Sequence, residues 1–243
     1  VVMIKSLIKQ RFSKSLKSYN KCAIVQKQMA HNLFDMIENN SYNNILELGC
    51  GTGFVTRLVN DNIEYNCYDV IDIVENCEEY IKKISPRINF INTDIEKFVP
   101  ERKYNLIISN AVLQWLENFP EFINRLKMNL SENGILVFTM FGNENYIQLK
   151  EMLQNNIQYY SVEELKELFK DYEILKIVED KNVLTFNTPK EVLHHIKDTG
   201  VNAINNESWT KGKLKDFEMN YPKQENGCVE LTYNPIYVVL KNN

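Results

Sequence analysis

The 243-residue sequence predicts an α/β protein with a doubly wound sheet, on three observations. Strand-like and helix-like segments alternate between residues 45 and 141. Residues 45–48 are a short apolar run and residues 104–109 are nearly continuously apolar, as strands covered on both faces are. Three of the eight glycines fall within residues 49–53, directly after the first strand-like segment. Such alternation favours a parallel sheet with helices on both faces, which binds ligands at the carboxyl ends of its strands.

Hydrophobic spacing gives the individual elements. Apolar residues at helical spacing predict a helix over residues 4–38, and a polar break at residues 41–44 precedes the first strand. The next segments read as strands at 45–48, 63–69, 88–92, 104–109 and 135–141, with helices at 54–60, 73–84 and 119–130. After Gly142 we expect helices at 146–155, 162–170 and 189–199, and strands within 172–186 and 229–240.

These elements divide the chain into four parts. Residues 1–40 form an N-terminal helical cap with a basic face, and residues 41–186 form the core. Residues 187–226 are inserted as a helical lid, and residues 227–243 supply the final strand of the core sheet. No interface signature stands out, so we expect a monomer.

Composition excludes several classes of protein. With 44% apolar and 25% charged residues the chain is neither disordered nor collagen-like. No apolar run approaches the roughly 20 residues that span a bilayer, and the start lacks the apolar core of a secretory signal. Five scattered cysteines without a CxxC pair predict no metal site and fit a reducing compartment, so we expect a cytoplasmic protein.

Charge is distributed unevenly along the chain. The net charge is −4, which argues against non-specific nucleic-acid binding, yet the first 34 residues contain seven Lys or Arg and no Asp or Glu. This basic arm is either a solvated helix face or a docking surface for an acidic partner. Its candidate docking residues are Lys9, Arg11, Lys14, Lys17 and Lys21. A second basic cluster, at Lys211–Lys215, is the alternative docking surface.

The run Glu47-Leu48-Gly49-Cys50-Gly51-Thr52-Gly53 follows a predicted strand and precedes a predicted helix. Glycines there let the backbone turn tightly, and the free N–H groups at a helix start attract an anion. The dinucleotide fingerprint would need glycine at position 54 or 56, where the chain has Phe54 and Thr56. A phosphate-binding P-loop pattern is absent from the sequence as well.

Together with Asp69 and Asp94, predicted at the tips of the next two strands, this turn resembles the class I S-adenosylmethionine-dependent methyltransferases. The resemblance implies a Rossmann-like, seven-stranded sheet and S-adenosylmethionine as methyl donor, with S-adenosylhomocysteine as product. It also implies that Glu47 holds the turn and that the turn accommodates the methionine part. Asp69 is then expected to take the ribose, and Asp94 with the backbone of Ile95 to read adenine. The cofactor-binding residues expected on this basis are Glu47, Gly49, Cys50, Gly51, Gly53, Asp69, Val70, Asp94, Ile95 and Asn110.

Three further runs narrow the resemblance: F-S-x-x-x-x-S-Y near the N-terminus, S-N-A-x-x-Q-W after the fourth strand, and T-G-V-N in the lid. They are similar to the malonyl-acyl-carrier-protein O-methyltransferases of biotin biosynthesis. That family esterifies the free malonyl carboxylate on an acidic carrier protein. One departure is Asn20, where the family usually has Asp.

The implied reaction sets requirements for the site. A carboxylate is already ionised at pH 7, so we expect no general base. We expect Tyr19, Trp115 and Phe141 to position the acceptor, and an Arg or Lys from the lid or the helix layer to face its carboxylate. Two alternatives stay open. One is a class I methyltransferase for another carboxylic acid or a quinone precursor, and the other is an inactive protein that only binds the carrier.

Overall fold

The structure is a computed structural model, and it describes residues 2–150, 152, 157–199 and 210–243. Two helices precede the first strand, and further helices then alternate with the strands of the core. The helices are α1 (Val2–Cys22), α2 (Ile24–Phe34), α3 (Phe54–Asn62), α4 (Glu78–Ile84), α5 (Phe119–Asn129), α6 (Val162–Leu168), α7 (Pro189–Asp198) and α8 (Lys211–Asn220). The strands are β1 (Ser41–Leu48), β2 (Glu64–Asp72), β3 (Asn89–Asn92), β4 (Tyr104–Asn110), β5 (Leu130–Phe141), β6 (Glu173–Glu179), β7 (Asn182–Phe186), β8 (Val229–Tyr233) and β9 (Pro235–Lys241).

Within the described residues, seven strands form one sheet in the order β3-β2-β1-β4-β5-β9-β6, and β7 pairs with β8 in a small second sheet. The first five strands run parallel, whereas β9 runs antiparallel to both of its neighbours. The α/β class with a doubly wound, mostly parallel seven-stranded sheet is therefore confirmed.

Alternating side chains on the strands create two cores. One core packs the sheet against α2, α3 and α4, with fully buried Met29, Val59 and Ile81 at its centre. The other packs the opposite face against α5 and α6 through residues such as Ile123 and Leu165. Both faces of β4 and of the second half of β5 are covered, which explains the apolar runs at residues 106–108 and 135–138.

Several predicted boundaries were wrong. The predicted helix over residues 4–38 is broken at Ala23 into α1 and α2, and the predicted polar break at 41–44 is the start of β1. The predicted final strand is two strands, because β8 belongs to the small sheet and β9 alone completes the core sheet. At residues 146–155 the described part shows one short 3-10 turn, Ile147–Leu149, and residues 151 and 153–156 lie outside the described residues.

The predicted lid lies between the two strands of the small sheet. Residues 187–226 connect β7 to β8 and contain α7 and α8, while residues 200–209 lie outside the described part. Most of the T-G-V-N run is therefore outside it too. The helix α7 rests on α1, and the Ser18 hydroxyl donates to the carbonyl oxygen of Asp198 at 3.1 Å. In the described part of the chain, no helix is both long and apolar enough to cross a membrane.

Candidate functional site

A cavity lies at the carboxyl edge of the sheet, and α1 contributes Phe12 and Tyr19 to its lining. Its lining follows the strand order: Asp94 and Ile95 after β3, Asp72 at the end of β2, the glycine turn after β1, Asn110 at the end of β4, and Phe141 at the end of β5. Parallel strands bring these residues together although they span almost one hundred positions of sequence.

The glycine turn reaches the cavity through Gly49, Cys50, Gly51 and Thr52. Gly49 has φ +73°, and a Cβ there would lie 2.4 Å from a methyl carbon of Val112. Gly51 has φ +53° and faces the ring of Phe12 on α1. Side chains at these two positions would strain the backbone and fill the space that a ligand needs.

Gly53 differs from the other two glycines, because it is absent from the described lining of the cavity and caps the start of α3 with φ +85°. Its role beside the ligand stays a prediction. A Cβ there would lie 2.5 Å from the Cδ1 atom of Ile84. Gly53 therefore permits close packing of α3 against α4.

The acid that reaches the cavity from β2 is Asp72, and the prediction of Asp69 with Val70 was wrong. The strand runs to Asp72, three residues further than predicted. Asp69 is instead buried beside β4 and β3, where it accepts hydrogen bonds from the Tyr104 hydroxyl at 2.8 Å and the Asn89 amide at 2.7 Å. Val70 is fully buried in the core.

Asp72 is held by the backbone. Its Oδ2 atom accepts from the N–H of Gly51 and its Oδ1 atom from the N–H of Val74, both at 2.8 Å. Burial raises the pKa of this carboxyl, while the two backbone hydrogen bonds favour its ionised form. The cavity therefore presents a fixed acceptor at the tip of β2.

Glu47 lies beneath the glycine turn and is 2% exposed. Its Oε2 atom accepts hydrogen bonds from the Thr56 hydroxyl at 2.8 Å and from the Tyr68 hydroxyl. Burial raises the pKa of Glu47 to about 7, against the opposing effect of these two donors. Glu47 thus ties β1 and β2 to α3 under the turn.

Asp94 lines the other end of the cavity, in the turn after β3. The Lys5 ammonium group on α1 donates to its Oδ2 atom at 2.7 Å and also pairs with Glu96. Burial alone would lower the pKa of Lys5, but the two acidic partners outweigh it and raise that pKa. Lys5 was not singled out by sequence reasoning, and it joins the start of α1 to this end of the cavity.

Aromatic side chains form much of the remaining wall. Tyr19 on α1 stacks on Phe54 with ring centroids 5.6 Å apart and meets Phe12 edge-on at 5.0 Å. Trp115 and Phe141, the other two predicted positioning residues, also line the cavity. The structure therefore brings all three together with the predicted glycine turn.

Two glutamines in the lining were missed by sequence reasoning. Gln26 on α2 is 2% exposed and Gln114 is 7% exposed, and the carbonyl oxygen of each side chain has no hydrogen-bond partner among the described residues. Gln114 donates its amide to the carbonyl of Ala111 at 2.7 Å. The signal for Gln26 was present in the sequence, since it lies on the apolar face that Met29, Ala30 and Leu33 define by helical spacing.

Asn110 occupies its predicted place at the end of β4, and its amide is engaged. It donates to the backbone carbonyl of Gln26 at 3.0 Å and accepts from the Thr139 hydroxyl at 2.7 Å. Ala111 follows with φ +56°, which turns the chain towards Trp115. Asn110 therefore fixes α2 against the tips of β4 and β5.

The expected cation at the acceptor end is not found in the described lining. Lys5 is the one Lys or Arg there, and it lies at the Asp94 end. The predicted docking residues lie on α1 instead, where Lys9, Lys14, Lys17 and Lys21 are exposed and Arg11 is half-buried. Among the residues that the structure describes, no cluster of three or more His, Cys, Asp or Glu could hold a metal ion.

Comparisons with known proteins decide the family. A family model described as a methyltransferase domain matches residues 22–175. A malonyl-[acyl-carrier protein] O-methyltransferase from Chlorobium luteolum is 36% identical over 98% of this chain and 95% of its own length. The chain belongs to the malonyl-[acyl-carrier protein] O-methyltransferase family. A family member from Haemophilus influenzae is 31% identical over 98% of this chain and 94% of its own length.

Solved structures agree on the methyltransferase fold. The N-methyltransferase NodS from Bradyrhizobium japonicum, in complex with S-adenosylhomocysteine, matches 89% of this chain and 85% of its own with a TM-score of 0.54 at 14% identity. The YcgJ protein from Bacillus subtilis matches 89% and 98% with a TM-score of 0.63 at 11% identity. At such identities the likeness concerns the fold, and the family assignment stands on the closer relatives.

Proposed function

We propose that the protein transfers the methyl group of S-adenosylmethionine to the free carboxylate of a malonyl group carried on acyl-carrier protein. The product is a malonyl methyl ester, which in biotin biosynthesis starts the pimeloyl chain. The observation that carries the proposal is the order of the cavity lining across the sheet, from two acids through a glycine turn to an aromatic end.

The residues present fit the donor. Asp94 and Ile95 would hold the adenine end, Asp72 the ribose hydroxyls, and the turn at Gly49–Gly51 the methionine part. The sulfonium supplies an electrophilic methyl group and leaves as a neutral thioether when its bond to that carbon breaks. The protein has to align the groups and exclude water, and positioning of this kind can contribute about 7–11 kcal/mol to the barrier reduction.

The acceptor needs no activation by a base. A malonyl carboxylate is ionised at pH 7, so no proton has to be moved during the transfer. Its negative charge would be attracted by the positive sulfonium of a bound donor, since two unit charges about 4 Å apart attract by about 4 kcal/mol at an effective dielectric constant near 20. The donor is therefore itself the counter-ion that offsets part of the desolvation of the acceptor.

The aromatic residues would confine the acceptor. Tyr19, held between Phe12 and Phe54, would cover the path of the methyl group from the α1 side. Trp115 and Phe141 would wall the acyl group at the tips of β4 and β5. Bulky apolar walls exclude water, which would otherwise solvate the carboxylate and weaken its attraction to the donor.

The carrier protein would dock on α1. Lys14, Lys17 and Lys21 recur three and four residues apart and are all exposed, so they form one basic face, here called the lysine stripe. Lys9 is exposed nearby, whereas Arg11 is half-buried. The cluster at Lys211–Lys215 on α8 is the second candidate. A cytoplasmic location and a monomeric state stay predictions.

The assay uses donor labelled in its methyl group with malonyl-acyl-carrier protein, malonyl-CoA, aconitate and a quinol precursor as separate acceptors. We expect label in a base-labile ester on the malonyl thioesters, with the carrier-linked form the better substrate. Label on aconitate or the quinol alone would favour a different small-molecule methyltransferase. Calorimetric titration with S-adenosylhomocysteine distinguishes these enzymes from an inactive protein that only binds the carrier, for which we expect no binding of S-adenosylhomocysteine.

A further inference from the structure

Two buried oxygen atoms without a hydrogen-bond partner belong to residues that line the donor cavity. They are the side-chain oxygens of Gln26, which is 2% exposed, and of Gln114, which is 7% exposed. The third such atom in the described part of the chain, the hydroxyl oxygen of Tyr146, belongs to a residue outside the described lining. Buried polar groups without partners are rare in folded proteins, so two acceptors beside one cavity call for a hydrogen-bond donor on the ligand.

The side-chain amide of Gln114 is fixed beside the tip of β4. Its nitrogen donates to the backbone carbonyl of Ala111 at 2.7 Å. Ala111 lines the cavity and has φ +56°, so the hydrogen bond spans the sharp turn that follows the strand. The side-chain oxygen belongs to the same planar amide, and the bond to Ala111 therefore holds this oxygen close to the cavity.

Gln26 reaches the same strand tip from α2. Its backbone carbonyl accepts from the side-chain amide of Asn110 at 3.0 Å, and Asn110 is the last residue of β4. The tip of β4 lies against the glycine turn, because a Cβ on Gly49 would lie 2.4 Å from a methyl carbon of Val112. Both glutamines therefore belong to the part of the cavity that the proposed function assigns to the methionine part of the donor.

The methionine part carries an α-ammonium group, which has three N–H donors and no acceptor. The acids of the described lining are engaged in other contacts. Asp94 is paired with Lys5 in the turn after β3, and each carboxylate oxygen of Asp72 accepts a backbone N–H. Burial raises the pKa of Glu47 to about 7, so its carboxyl is only partly ionised near neutral pH. The ammonium group therefore needs other acceptors beside the turn.

We propose that the side-chain oxygens of Gln114 and Gln26 accept hydrogen bonds from the α-ammonium group of S-adenosylmethionine. This inference rests on the proposed function for the identity of the donor, but not for that of the acceptor. Neutral amide oxygens hold the ammonium group without repelling the incoming malonyl carboxylate. A further carboxylate beside the sulfonium would also be a nucleophile that competes for the methyl group.

The test combines protein variants with a ligand variant. Calorimetry measures the Kd for S-adenosylhomocysteine and for its analogue in which hydrogen replaces the α-amino group. The proteins are the parent chain, Gln114→Met, Gln26→Met and the control Gln28→Met, which changes an exposed glutamine on α2. We expect the variants at Gln114 and Gln26 each to raise the Kd for S-adenosylhomocysteine about ten-fold, as the loss of a hydrogen bond to a charged group does.

The analogue distinguishes binding of the ammonium group from a structural role. Its Kd should stay within about two-fold of the parent value in every variant, since it lacks the group that the glutamines hold. Gln28→Met should keep both parent values. An equal rise in Kd for both ligands in the variants at Gln114 and Gln26, or no rise for either ligand, would overturn the inference.

Kinetics give a second readout. The ammonium group is the same in the substrate and in the transition state, so the KM for S-adenosylmethionine should rise while kcat stays within about two-fold of the parent value. A lower kcat with an unchanged Kd for S-adenosylhomocysteine would place the two oxygens at the transferred methyl group and overturn the inference. Failure of the proposed function has a different sign, because the parent chain would then bind S-adenosylhomocysteine but methylate no malonyl thioester.

Discussion

The backbone N–H of Gly51 donates a hydrogen bond of 2.8 Å to the carboxylate of Asp72, which joins the turn after β1 to the tip of β2. The other carboxylate oxygen of Asp72 is held by Val74 at the same distance. The two strand ends that should receive the methionine part and the ribose are thus fixed relative to each other before any ligand arrives.

Replacing Asp72 by Asn should weaken donor binding. One oxygen acceptor and the negative charge are lost, and we expect the Kd for S-adenosylhomocysteine to rise about ten-fold or more, as for other hydrogen bonds to charged groups. Calorimetry measures this Kd. Asp69→Asn is the matched control in the same strand, and it should lower the melting temperature with little change in Kd because Asp69 contacts Tyr104 and Asn89. Equal losses of affinity in both variants would contradict the assignment of Asp72.

Lys5→Met should loosen the cover of the donor cavity. Lys5 joins α1 to Asp94 and Glu96, so its removal should increase the dissociation rate constant of S-adenosylhomocysteine several-fold. The same rate constant in the parent chain should increase with ionic strength, because salt screens partly exposed ion pairs. Stopped-flow displacement measures both. Lys9→Met, an exposed change on the same helix, should match the parent chain, and identical rates in the two variants would remove Lys5 from this role.

Glu47 should make the fold less stable at neutral pH than at acidic pH. Burial raises its pKa from 4.5 to about 7 in the folded protein, which therefore binds this proton more tightly than the unfolded chain does. The contribution of Glu47 to the unfolding free energy falls as pH rises from about 4.5 to about 7 and is constant above, a change on the order of 3 kcal/mol. Glu47→Gln should therefore lose less stability than the parent chain between pH 5 and pH 8.

Urea denaturation at the two pH values measures this difference. Asp72, whose pKa is also raised by burial, is present in both proteins and cancels in the comparison. Glu64→Gln, a change of the same kind at an exposed position at the start of β2, should keep the pH dependence of the parent chain. A Glu47→Gln variant with that same dependence would show that Glu47 titrates alike in the folded and unfolded chains.

Reversing the charge of the lysine stripe should impair the carrier-linked substrate selectively. With Lys14, Lys17 and Lys21 changed to Glu, we expect the KM for malonyl-acyl-carrier protein to rise about ten-fold at low salt and the KM for malonyl-CoA to stay constant, since electrostatic complementarity acts on protein association. The same reversal at Lys211, Lys213 and Lys215 tests the alternative surface. Full activity of the stripe variant on carrier at low salt would exclude α1 as the docking site.

The sequence was enough to predict the sheet and the glycine turn because both depend on local patterns. Each of the strands β1, β4 and β5 contains a short apolar run, and three glycines with positive φ follow the first of these strands. The fold class needs little more than this alternation. The positions of Gly49, Asp94 and Asn110 at strand ends followed in the same way.

The sequence could not show that Asp72, and not Asp69, reaches the cavity, because the partners that hold Asp69 inside the sheet are far away in sequence. Asp69 looks like a strand end, since a charged residue inside a buried strand is costly unless it is paired. Its partners Tyr104 and Asn89 are 35 and 20 residues away and belong to other strands. Likewise, the split of the C-terminal segment depends on Asn234, whose side chain donates to the backbone carbonyl of Asp180.

One helix, α1, both covers the donor cavity through Phe12 and Tyr19 and carries the lysine stripe on its outer side. A carrier protein seated on that outer side would hold the helix down. The donor would then have to enter first and its spent form leave last, a compulsory order of arrival and departure that initial-rate kinetics with product inhibition would reveal.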